Sequence, residues 1–230
     1  MKEKHLNYFN LLDALKEGCP ICYLVRASTH KFMENLLYEH VNDPGMRKNL
    51  RSSLGFCNKH SWELQKFGDS LAFSIIYEDL IAIVAHRLEK SSKSFKSVRA
   101  LFAELLQEKE RHYFKKRKNA CPVCKVAAET ERNYISEFID YFNEPELHNI
   151  FKDSFGLCLP HLLQVLEKCK NEKLFNSIKS IELEKLSILI KELKEFQRKC
   201  DYRFSKEGYG KEKDSWIRAV EKMIGEEGVF

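Results

Sequence analysis

The 230-residue chain reads as an all-α protein. Apolar residues recur at three- and four-residue spacing along nearly its whole length, the period of a helix with one buried face. No stretch alternates apolar and polar residues between hairpin turns, and no Asn-Gly or Asp-Gly dipeptide occurs. Only nine glycines and five prolines punctuate the chain, so turns are few and the elements between them long.

The first stripe is Tyr8, Leu11, Leu12 and Leu15, a helix leading into Cys19-Pro20-Ile21-Cys22. Proline lacks only an N–H that a first helical turn leaves unpaired anyway, so Pro20 begins a second helix with the two cysteines bracketing that turn. Asn42-Asp43-Pro44 breaks the pattern and caps a short third helix. Gly55 allows the tight turn ahead of Cys57-Asn58-Lys59-His60, where Cys57 and His60 stand three apart on one face of a fourth helix. Ile76, Leu80, Ile83 and Val84 mark a long closing helix. The order then recurs. Cys121-Pro122-Val123-Cys124, Asn143-Glu144-Pro145 and Gly156 before Cys158-Leu159-Pro160-His161 repeat the first half, and Leu186, Leu189, Leu193, Phe196 and Cys200 close it with a 3-4-3-4 rhythm suited to helix-on-helix packing. The offset is 102 residues for the CPxC pair and 101 for the Asn-x-Pro break and the CxxH, which places a one-residue difference between Cys22 and Asn42. We therefore expect two pseudo-symmetric helical repeats, 1–95 and 96–200, meeting at the serine-rich stretch 91–97. A C-terminal extension, 201–230, belongs to neither repeat, carries a short helix begun by Asp214-Ser215-Trp216, and is expected to dock across them.

Six of the eight cysteines and two histidines fall into two matching Cys3His sets, the ligands and spacing of a closed four-coordinate zinc site. Cys19, Cys22, Cys57 and His60 are expected to hold one zinc ion, and Cys121, Cys124, Cys158 and His161 a second. Three thiolates around a dication leave a net negative charge, which each converging helix N-terminus favours by about 0.3–1 kcal/mol. An iron–sulfur cluster on the same residues is the alternative cofactor. A thioredoxin-type dithiol would sit in a βαβ context, for which there is no sign. Cys169 and Cys200 stand singly among helical residues and read as small core hydrophobes. His30, His40, His86, His112 and His148 have no partner at ligand spacing.

The double CPxC…CxxH layout resembles a family of prokaryotic proteins, widespread in anaerobes, that is known only as a domain of unknown function. The stretch from Asp201-Tyr202-Arg203-Phe204 through Glu212, Asp214, Ser215 and Trp216 to Arg218, Ala219 and Glu221 is similar to that family's C-terminal part. The resemblance spans nearly the whole chain and implies no activity. In ligand type alone, the sets also resemble helical zinc modules that recruit protein partners.

For function, the chain offers no Ser-His-Asp set, no Gly-rich phosphate loop and no HExxH. With every coordination position filled by protein, the expected sites hold structure and leave no place for a substrate water. This points to a binding or scaffold protein with a protein partner, not to an enzyme. The alternative is a thiol-based redox protein or sensor, since a CPxC at a helix start lowers thiol pKa. Nucleic-acid binding through Lys115-Lys116-Arg117-Lys118 is the weaker rival, because the net charge is only +5 and such a run also suits a solvated helix end. The N-terminal segment has no apolar run of signal type, and the most apolar window, 71–85, is interrupted by Glu78 and Asp79. A cytoplasmic location without a membrane partner is expected. The aromatic and arginine residues of the extension, from Tyr202 to Arg218, mark it as the expected functional surface, in a groove between the halves.

Overall fold

The computed structural model describes residues 6–90, 121–204 and 206–230. Among them are ten α-helices and no strand, as expected. They are α1 (Leu6–Ala14), α2 (Pro20–Glu39), α3 (Pro44–Ser53), α4 (Asn58–Gln65), α5 (Ser70–Lys90), α6 (Pro122–Tyr141), α7 (Pro145–Asp153), α8 (Leu159–Lys168), α9 (Glu172–Lys199) and α10 (Ser215–Ile224). Short 3-10 turns at Tyr202–Phe204 and Lys211–Asp214 precede α10. The serine-rich stretch 91–97, His112 and the basic run 111–118 lie outside the described residues. No described helix is long and apolar enough to cross a membrane.

The helices begin where the punctuation places them. Pro20, Pro44, Pro122 and Pro145 each open one, and Pro160 falls in the first turn of α8. Asp43 caps α3 by accepting the Met46 N–H at 2.7 Å, whereas Glu144 stands before α7 without a side-chain cap. Both α2 and α6 are 20 residues long. The one-residue difference between the halves falls after them, in the four residues 40–43 against the three residues 142–144.

By contacts the chain divides into two compact units, Met1–Arg26 with Thr130–Phe230, and Ala27–Glu129. This division runs differently from the ranges 1–95, 96–200 and 201–230, because each unit draws on both sequence halves. The boundaries fall inside α2 and α6, so each long helix gives its first turns to one unit and its remainder to the other.

The core of the first unit contains the α1 stripe, with Tyr8, Leu11, Leu12 and Leu15 all buried, and an aromatic group from α6 and α7. Phe138, Phe142 and Phe151 meet with ring centroids 5.1–5.5 Å apart, in tilted and edge-on geometry. Tyr8 also donates to the Glu146 carboxylate at 3.0 Å. In the second unit, Leu36, Leu50, Phe56, Leu64, Ile76 and Leu80 share one buried cluster. Asp79 on α5 pairs with Arg47 and Arg51 on α3, at 3.1 and 2.8 Å.

The closing stripe of α9 behaves differently from expectation. Leu186, Leu189, Leu193 and Phe196 are only half-buried, and the fully buried face lies earlier, at Leu174, Ile178 and Ile181. Among the described residues, α9 packs against the extension and α8. Polar links hold it there. Lys199 reaches Glu212 at 2.8 Å, Arg218 reaches Glu192 at 2.7 Å, and Arg198 pairs with Glu207. The extension packs on α8 and α9 and also reaches α2, where Glu226 pairs with Arg26 at 3.1 Å, all within the first unit.

Candidate metal centres

All eight predicted ligands gather into two groups of four, but the groups exchange partners. Cys19 and Cys22 meet Cys158 and His161, while Cys121 and Cys124 meet Cys57 and His60. The expected pairing of each CPxC with the next CxxH in sequence is thus corrected. The reason lies in α2. Twenty helical residues rise about 30 Å from the first CPxC, and the helix ends in the other unit. There the chain builds α3 and α4, which leaves Cys57 and His60 beside the CPxC that opens α6.

Each group is made of two helix N-termini. Cys57 and Cys158 are the N-cap residues of α4 and α8, in extended conformation, and His60 and His161 lie in the first turns. Cys19 and Cys121 hold the corresponding place before α2 and α6, their carbonyls accepting the N–H of Tyr23 and Lys125. The glycine at the turn before each CxxH has positive φ, +90° at Gly55 and +83° at Gly156, a backbone that only glycine adopts without cost.

In the first centre, Nδ1 of His161 lies 3.5, 3.3 and 3.2 Å from Sγ of Cys19, Cys22 and Cys158, and Cys22 lies 3.6 Å from Cys158. In the second, Nδ1 of His60 lies 3.6, 3.3 and 3.2 Å from Cys121, Cys124 and Cys57, and Cys57 lies 3.6 Å from Cys124. A tetrahedron of metal–sulfur bonds near ~2.3 Å and metal–nitrogen bonds near ~2.05 Å has edges of about 3.8 Å between sulfurs and about 3.6 Å from sulfur to nitrogen. The observed separations lie close to these edges, so both groups can hold a metal ion.

The gathered ligands shift one another's protonation. Burial opposes the charge of Cys19, yet hydrogen bonds from Cys158, Cys22 and His161 hold its thiol well below the ordinary range. Bonds to Cys158 and Cys19 push Cys22 far up. The second centre repeats the contrast: contacts with Cys121 and Cys124 hold Cys57 low, while Cys121 and Cys57 push Cys124 high. Burial disfavours charge on both imidazoles, but the surrounding sulfurs outweigh it and raise His60 to about 9 and His161 to about 11. Each set thus holds one thiol low, another high and its imidazole protonated, and a metal would bind there by displacing those protons.

Beyond the ligands the centres differ. His161 Nε2 faces Glu131 Oε1 at 3.0 Å, and Gln164 donates to the same oxygen at 2.8 Å. The hydrogen bond from His161 lowers the Glu131 pKa and fixes Nδ1 as the ligand atom. The ring of Phe230 lies 5.0 Å from His161, and Gly225 lies against Cys22. All four ligands of this centre are buried. In the second centre, His60 Nε2 is 3.7 Å from Glu63, and Cys57 and Cys124 are half-buried.

Among the described residues, the remaining candidates join neither group. Cys169 is half-buried at the end of α8, where burial raises its thiol pKa. Cys200 is exposed, with Sγ 3.7 Å from the Tyr209 hydroxyl. The expected core role of Cys200 is therefore corrected, because the end of α9 is covered only in part by the extension. His30, His40 and His86 are exposed and His148 is half-buried. Sequence reasoning missed Glu131, which lies 30 residues from His161. Its only sequence signal is a shared helical face with Cys124.

The architecture defines an all-helical protein with two Cys3His centres, each assembled at a pair of helix N-termini. The chain belongs to the family of unknown function DUF6062, whose model matches residues 1–228. It is 30% identical over 218 residues to an "Uncharacterized 23.9 kDa protein in xynA 3'region" of Caldicellulosiruptor sp. (strain Rt8B.4), covering 94% of this chain and 99% of that protein. No solved structure matches the chain.

Proposed function

We propose that the chain is a cytoplasmic zinc protein in which two ions brace a helical surface for binding another protein. The observation that carries this reading is the closed ligand geometry: three thiolates and one imidazole fill a tetrahedron in each unit. Zinc suits this set because it needs no open position and has no redox demand of its own. The support for a protein partner is α10. Trp216, Val220, Met223 and Ile224 lie at helical spacing and are more than half exposed. A contiguous apolar face of this kind, rimmed by charge, fits a protein interface.

Metal analysis of anaerobically purified protein tests the first half of the reading. Two zinc ions per chain and a colourless solution support it; visible absorption with bound iron and sulfide would replace it by the iron–sulfur alternative. For the second half, Trp216→Ser with Val220→Asp should keep both ions and the melting temperature while abolishing a defined protein complex. A complex unaffected by these substitutions would move the interface elsewhere.

A further inference from the structure

The two centres face different surroundings. Cys19 borders a cavity of about 240 Å³ lined by Glu17, Glu221, Glu226 and Glu227 together with Arg26 and Phe155, and the cysteine itself is 2 % exposed. Four carboxylates against one guanidinium and one aromatic ring make that cavity predominantly acidic. Cys57 borders a larger cavity of about 340 Å³, lined by Phe56, Trp62, Phe73 and Tyr77 with Asn58 at its side. Phe73 and Tyr77 stack at 4.5 Å, and Trp62 stands 63 % exposed at the mouth. An apolar molecule of moderate size thus has an aromatic cleft that ends on a half-buried metal-ligand sulfur. A second half-buried sulfur, Cys124, lies 3.6 Å away. Among the described residues, the carboxylate contact of this imidazole, Glu63 at 3.7 Å, is longer than the 3.0 Å contact that holds His161, and such support commonly strengthens metal affinity.

We infer that the second centre is a thiolate site for apolar organic hydroperoxides, with Cys57 as nucleophile and Cys124 as resolving thiol. This rests on the zinc reading above and adds regulation to it. The Cys57 thiolate attacks the terminal peroxide oxygen, the O–O bond breaks, and the alkoxide leaves and takes a proton from water. The resulting sulfenic acid is attacked by the Cys124 thiolate. A sulfur–sulfur bond forms, the sulfur–oxygen bond breaks, and hydroxide leaves. Two electrons pass from the two sulfurs to the peroxide. The disulfide leaves only Cys121 and His60 as ligands, so a bound ion would be released, and a thiol reductant with zinc would restore the centre. The first centre, with all four ligands buried, keeps its ion.

The test uses the full chain, purified anaerobically, with its metal content measured first. Cumene hydroperoxide or hydrogen peroxide is added at equal concentration. Released metal is read with a chromogenic chelator, and disulfides are mapped by peptide mass. The expected result is loss of one ion of the two with a Cys57–Cys124 disulfide, faster with cumene hydroperoxide than with hydrogen peroxide. Trp62→Ala, which changes no ligand, should retain both ions and lose that preference. Simultaneous loss of both ions, a disulfide confined to Cys19, Cys22 and Cys158, no release, or an equal or faster reaction with hydrogen peroxide overturns the inference and leaves the zinc reading standing. Protein that binds no metal overturns both.

Discussion

Gly156 shows how much one residue carries. Its φ of +83° makes the turn before Cys158, and a Cβ there would collide with the Glu182 carboxylate and approach Lys185 Cδ to 2.8 Å. That carboxylate accepts the Leu157 N–H at 2.7 Å, so the turn into the α8 ligands depends on it. Gly156→Ala should therefore combine backbone strain with overpacking and cost about 2–4 kcal/mol. Gly68 has a similar φ of +78° but open space around it, so Gly68→Ala should show only the strain, about 1 kcal/mol. Urea denaturation measures both, and equal losses would refute the role given to Glu182. The turn itself was legible in the sequence, since glycine before a helix start is a local signal. Its second role was not, because Glu182 lies 25 residues beyond Leu157.

At the scale of elements, caps and periodicity were the legible part. Asp43 caps α3, so Asp43→Ala should lower stability by about 1 kcal/mol, while Glu144→Ala, at the uncapped counterpart, should cost less. Equal shifts in the melting midpoint would contradict that distinction. The extension was legible as a separate element beginning a helix at Ser215, but its anchorage was not. Lys222 is buried and pairs with the buried Glu182 at 2.6 Å, and also donates to the Phe155 carbonyl. Nothing in the spacing of Lys222 distinguishes it from a surface lysine. Lys222→Met leaves a buried carboxylate unpaired and should cost about 3–5 kcal/mol. Adding Glu182→Gln removes the stranded charge while keeping an acceptor for Leu157, so the double variant should recover part of the loss. A double variant weaker than the single would show that the pair is not the anchor. Since Phe230 and Gly225 also border the first centre, removal of the whole extension should destabilise that centre as well as remove the exposed face of α10.

Across the whole molecule, the repeat made eight ligands legible but not their pairing. Spacing is a local property, and a CPxC at a helix start accepts either CxxH equally well. Only the passage of α2 and α6 from one unit to the other decides it. The consequence is long-range closure. Cys22 and Cys158 lie 136 residues apart in sequence, and Cys57 and Cys124 lie 67 apart. Closing longer loops removes more freedom from the unfolded chain, so each ion should couple strongly to the folding of its unit. The pairing itself can be read by counting ions. If Cys22 and Cys158 bind the same ion, the double variant Cys22→Ser with Cys158→Ser should lose no more metal than either single variant and retain one ion per chain. Cys22→Ser with Cys57→Ser strikes both centres and should retain none. Pairing within the sequence halves would reverse these results: Cys22 and Cys57 would share an ion, and the second double variant would be the one that keeps metal. Metal stoichiometry of the four proteins after removal of loosely bound zinc decides between the two arrangements without further structural work.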